Sequence, residues 1–122
     1  MAEKRDLKAV PEVKASAAKA QATSGEGAID EWRRRIDAID EQLMRLLNSR
    51  SACAVEIGKV KRSLGLPVYS PEREAWILER VMRENPGPLD PTAVRRVFER
   101  IIDESRRLER LAVDQEKKEP KE

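Results

Sequence analysis

Apolar residues at Ile29, Trp32, Ile36, Ile39, Leu43 and Leu46, then Cys53, Ile57, Val60 and Leu64, are separated by alternating steps of three and four. That is the a/d pattern of a helix packed along its length. One position of this register, 50, carries arginine. A guanidinium keeps its proton and is costly to bury without an anion. Either Arg50 faces water at a gap in the seam, or something negative is held there.

The spacing predicts a first helix over 29–64, stopped by Gly65 with Pro67 soon after. Ser70 is placed to cap a second helix, with Pro71 at its first position and Glu72 and Glu74 near the positive end of its dipole. Ala75, Ile77, Leu78, Val81 and Met82 are its apolar residues, and Asn85-Pro86-Gly87-Pro88 ends it. Asp90-Pro91 repeats the cap-then-proline start for a third helix carrying Val94, Val97, Phe98, Ile101, Ile102, Leu108 and Leu111. Residues 1–28 lack apolar periodicity and read as a disordered N-terminal tail, and 112–122 as a charged C-terminal tail that frays. The expected folded part is thus one all-α domain of three helices over 29–111.

A helix of about 36 residues is roughly 54 Å long, whereas a compact domain of this size has a radius of gyration of about 12–13 Å. Helices 2 and 3 are too short to cover such a rod. A second copy of the chain is the simplest cover, which predicts a two-fold helical homodimer. The competing reading is a first helix kinked into a monomeric bundle.

Composition narrows the chemistry. Charged residues make up 39% of the 122 and aromatics 3%, with a net charge of only +2, so bulk basicity of the nucleic-acid-binding kind is absent. There is no histidine and one cysteine, which excludes Ser–His and Cys–His triads, histidine-ligated metals, zinc clusters and an intrachain disulfide. Cys53, between Ala52 and Ala54 on the seam, reads as a small core residue. No apolar run approaches the roughly 20 residues needed to span a bilayer. The first residues lack the apolar stretch of a signal peptide, so the expected location is cytoplasmic.

Polar residues break the buried faces. Lys61 follows Arg50 by about three turns on the same side of helix 1, with Ala54 and Ile57 between. On helix 3, Phe98, Ile102, Ser105 and Glu109 share one face at 4-3-4 spacing, and Arg73-Glu74 sits on the first turn of helix 2. Each has a plainer reading: Arg50 snorkelling, Lys61 in a solvated run, Arg73 and Glu74 as surface and dipole residues, Ser105 bonded to its own helix, Glu109 as one more helix-end carboxylate. Together they suggest a buried pocket for a compact polyanion.

These stretches resemble the all-helical (AroQ-type) chorismate mutases. The resemblance spans 29–111 and rests on Trp32 to Asp40, Leu46 to Arg50, Ala54 to Lys61, Pro67-Val68-Tyr69 with Pro71 to Glu74, and Ile101 to Ser105. It implies an intertwined all-α homodimer that converts chorismate to prephenate in aromatic amino acid biosynthesis, without metal or cofactor. Such a one-step [3,3] rearrangement needs a held conformer and stabilisation of charge on the breaking ether oxygen.

Carried over by position, the resemblance makes Arg50 a ligand of one substrate carboxylate and Arg33 a second, contributed across the dimer interface. Arg33 and Arg50 are 17 residues apart, about 25 Å along one helix, so one straight helix cannot bring both to the same small ligand, whereas an antiparallel partner could bring Arg33 back. Lys61 would bind the ether oxygen and adjacent carboxylate, Arg73 and Glu74 the substrate with Glu74 on the ring hydroxyl, Ser105 a polar contact near the ring carboxylate, and Glu109 the ether oxygen. Ser70 stands where many relatives have aspartate; the contact there is largely through the main-chain N–H, so binding is expected to survive. Position 109 is glutamine in some relatives and glutamate in others, and only a protonated carboxyl can donate to an ether oxygen. Burial raises that carboxyl's pKa while Lys61 and the arginines lower it, leaving the sign open.

The nearest alternatives are an isochorismate pyruvate lyase on the same scaffold, disfavoured by Glu74 and the Gly58-Lys59-Val60-Lys61 run, and a non-catalytic helical module. No membrane or nucleic-acid partner is expected. Docking on another shikimate-pathway enzyme, through either tail, is compatible with the sequence.

Overall fold

The computed structural model describes residues 25–118, all in helices or the short connections between them. Helix α1 spans Gly25–Leu64, α2 Pro71–Glu84 and α3 Pro91–Lys118. There is no strand among the described residues, and no described helix is long and apolar enough to cross a membrane. Residues 1–24 and 119–122, most of the expected N-terminal tail and the last four residues of the C-terminal one, lie outside the described residues.

The helix ends follow from local chemistry, with three differences from expectation. Helix α1 starts at Gly25 rather than Ile29, and α3 runs to Lys118 rather than ending at Leu111. Once a helix exists, each further residue adds a hydrogen bond at little cost, and no proline intervenes at either extension. Ser70 is at the N-cap of α2, but its hydroxyl makes no capping bond; only its carbonyl serves, accepting from Glu74 N at 3.1 Å. Asp90 caps with its side chain, Oδ1 accepting from Ala93 N at 2.7 Å. Gly65, at φ +72°, closes α1 as its N–H donates to Arg62 O (3.1 Å) and that of Leu66 to Lys61 O (2.8 Å). This is a Schellman end, and its left-handed residue suits glycine.

The chain divides into two units. The first runs to Leu46, and its described part, 25–46, is all α1. Here Arg35 is buried beside Trp32, its guanidinium carbon 5.3 Å from the ring centroid, with Nε and Nη1 unpartnered. The second unit, from Leu47, holds the rest of α1 together with α2 and α3, and α2 packs on α3.

The seam is not the packed face in either unit. Its large residues are exposed, from 41% at Trp32 to 67% at Leu46, and Cys53 is exposed too, so it is not a core residue. In the second unit the sheltered residues of α1 include Arg50, at the gap in the seam, and Leu47, Ser51, Ala54, Gly58 and Lys61, each one residue on from a seam position. One residue is about 100° around a helix, so the sheltered row lies beside the seam and meets it at Arg50. Ala54 and Gly58 give the latter its close fit: a Cβ on Gly58 would meet Glu109 Cβ at 3.2 Å. Buried Ile102 and Ser105 are on α3.

Candidate active site

A cavity of about 480 Å³ opens within the second unit. Helix α1 contributes Arg50, Cys53, Ala54, Ile57 and Lys61, the α1–α2 connection Val68 and Ser70, α2 Arg73, Glu74 and Ile77, and α3 Ile102, Ser105, Arg106 and Glu109. The volume is in the range of small-ligand sites. Seven of the eight residues expected from the sequence line it. The eighth, Arg33, is exposed in the first unit and is not part of its wall.

Each cation is held differently. Arg50 Nη1 donates to the hydroxyl of buried Ser105 at 2.8 Å, which fixes the arginine without neutralising it. The guanidinium carbon of Arg73 lies 4.7 Å from the Trp76 ring centroid. Neither has a carboxylate partner among the described residues. Lys61 Nζ donates to Val68 O at 2.7 Å, and the Lys61 carbonyl forms part of the Schellman end. Its ammonium is therefore anchored at the end of α1, 3.8 Å from Glu109 Oε1.

Glu109 resolves the sign that its neighbours left open. Burial pushes its carboxyl above the ordinary value and outweighs the pull of Lys61; nearby Glu74 adds to the rise and Arg106 opposes it. Oε1 is buried with no hydrogen-bond partner. The Lys61 ammonium at 3.8 Å is too distant for a hydrogen bond, so the carboxylate form is poorly compensated. Four cations and two carboxyl groups line the cavity, an excess of two positive charges with both carboxyls ionised. The arrangement can take a compact dianion and offer it one ammonium and one carboxyl group side by side.

A model of the chorismate mutase type II family matches residues 32–110. The chain belongs to that family. It is 47% identical over 75 residues to a bifunctional chorismate mutase/prephenate dehydratase of Pseudomonas aeruginosa, covering 57% of this chain and 20% of that protein. The chain thus corresponds to about a fifth of such bifunctional relatives. A chorismate mutase of Methanocaldococcus jannaschii is 27% identical over 86 residues, covering 70% of this chain and 87% of that one. Among solved structures, a chorismate mutase from Thermus thermophilus superposes with a TM-score of 0.66 at 36% identity, covering 67% of this chain and 93% of its own. Another, from Helicobacter pylori in complex with prephenate, superposes at 0.65 with 28% identity, covering 70% and 93%. The all-α fold read from the sequence is the fold of this family.

Cys53 and Arg106 are wall residues that the sequence pattern did not point to. Cys53 reads from the sequence as a core residue, yet it is exposed and lines the cavity. Arg106 stands beside Arg107 in the middle of α3. A signal for it exists, four residues after Ile102 and three before Glu109 on the same side of the helix.

Proposed function

We infer that this chain catalyses the rearrangement of chorismate to prephenate. The observation that carries the reading is the pairing pattern in the cavity: Arg50 and Arg73 face it without carboxylate partners, beside Lys61. A dicarboxylate supplies the missing charge.

In the reaction the bond from the ring to the ether oxygen breaks as a carbon–carbon bond forms within the same molecule, with no proton or electron passed to the protein. Arg50 holds one carboxylate, and Arg73 and Ser105 orient the substrate, with Ser70 at the α2 N-terminus. Glu74 accepts from the ring hydroxyl. Lys61 and protonated Glu109 both donate to the ether oxygen as it gains charge, which favours the transition state over bound substrate. No covalent intermediate is required.

The reading includes a homodimer. The exposed seam of α1 is the surface a second copy would cover, and that copy would supply Arg33 for the second carboxylate.

The decisive assay follows chorismate loss and identifies the product by NMR. Prephenate is expected; pyruvate from isochorismate with chorismate untouched would assign the lyase, and no turnover of either would refute an enzymatic role.

A further inference from the structure

Neither the helical spacing nor the family resemblance assigns Arg106 a role, yet it is among the most firmly held charges of the cavity wall. Its Nε donates to Glu74 Oε2 at 3.1 Å and its Nη2 to Glu74 Oε1 at 3.2 Å. Nη2 also reaches Asp103 Oδ1 at 3.0 Å, and the Tyr69 ring centroid lies 5.1 Å from the guanidinium carbon. One cation therefore ties α3 to the first turn of α2 and to the α1–α2 connection. Its side chain is 27% exposed and that of Glu74 is 22%, so solvent screens this pair less than the surface pairs elsewhere on the chain.

We propose that Arg106 is a positioning residue, whose two-point clamp on Glu74 sets where that carboxylate meets the ring hydroxyl of the substrate. The proposal rests on the reading of Glu74 given above. A glutamate has three rotatable bonds, and a single hydrogen bond leaves its carboxylate free to swing. Two parallel bonds from a planar guanidinium fix both oxygens and the plane they define. Each carboxylate oxygen has two acceptor sites, so the clamp leaves room for a hydroxyl to donate. Displacement of a positioning group by about 1 Å can cost as much as a hundredfold in rate. Arg106 also lines the cavity, so the rival role is direct binding of a substrate carboxylate.

A double-mutant cycle on the full chain separates the two. The turnover number and KM for chorismate are measured for the parent, R106Q, R106K, E74Q and R106Q/E74Q, with melting curves to confirm folding. R106Q is expected to lower kcat/KM on the order of tenfold, mainly in kcat, and to do so by less than about twofold in the E74Q background. R106K keeps the charge but binds as a point, so it should recover only part of the loss. An equal loss in both backgrounds, appearing mainly in KM, would overturn the clamp in favour of direct binding. Full activity in R106K would overturn the two-point geometry even if R106Q fails to fold. If E74Q is impaired and R106Q is not, the clamp alone falls; if E74Q is as active as the parent, the reading of Glu74 falls and the clamp with it.

Discussion

Replacing Glu109 with glutamine tests the acid at the ether oxygen most directly. Burial raises the Glu109 pKa because Oε1 is enclosed without a hydrogen bond, and the Lys61 ammonium, 3.8 Å away, only partly offsets this. The productive form is the protonated one, since a carboxylate accepts and cannot donate. As pH rises through the raised pKa, the acid ionises and the donor is lost. Removal of one preorganised donor to a developing anion typically costs about 10²–10³ in kcat. The parent's kcat should therefore fall about tenfold per pH unit above this pKa, toward a floor about 10²–10³ lower, carried by Lys61 alone. A bound dianion adds negative charge beside Glu109 and raises its pKa further. The fall in kcat should accordingly lie at higher pH than the fall in kcat/KM. E109Q keeps a neutral N–H donor at every pH, so its profile should be flat across the range where the parent declines. Steady-state rates on chorismate over a pH series in constant-ionic-strength buffer give both curves. The same decline in E109Q would assign the limb to another group, and a flat parent would refute a protonated Glu109.

Three further outcomes follow from other parts of the chain. R33A and R50A, each nearly inactive alone, should regain about a quarter of parental activity when mixed and allowed to exchange, because half the dimers are mixed and each has one intact site; exchange without recovery, checked by native mass spectrometry, would exclude a shared site. G58A places a methyl 3.2 Å from Glu109 Cβ, so α3 must shift by a few tenths of an ångström; kcat should drop about tenfold with a stability loss of about 1–3 kcal/mol, measured by urea unfolding. Charge on the seam, as in I39E/L43E, should make the chain monomeric in sedimentation experiments and abolish activity, since burying each such side chain is worth about 1.5–3 kcal/mol; an active monomer would refute the dimeric site.

The proportion legible in the sequence differed by level. Helix count and breaks were readable because proline, glycine and capping residues act within a few positions: Asp90-Pro91 starts α3, and Gly65 ends α1 with its left-handed backbone. The row Arg50, Ala54, Ile57, Lys61 was readable because helical geometry alone places its members together, and all four do line the cavity. Outer helix limits were less readable, since ends lengthen or fray at small cost. Which face of α1 packs within the chain was not legible. Its strongest apolar periodicity marks an exposed face, while the sheltered face is a weaker row of small and cationic residues. Periodicity reports that a face is apolar and says nothing of what covers it.

By itself, the sequence determined an all-α chain, three helices and a cationic row on α1 facing polar breaks on α3, because these depend on local spacing. Only the tertiary structure decided which charges are paired. Arg106 and Glu74 are 32 residues apart and sit on different helices, and their two-point contact depends on how α2 meets α3. The protonation tendency of Glu109 likewise depends on a balance between burial and the distance to Lys61, which no spacing rule contains. Charge interactions fall off with distance and strengthen with burial, and both are properties of the folded chain.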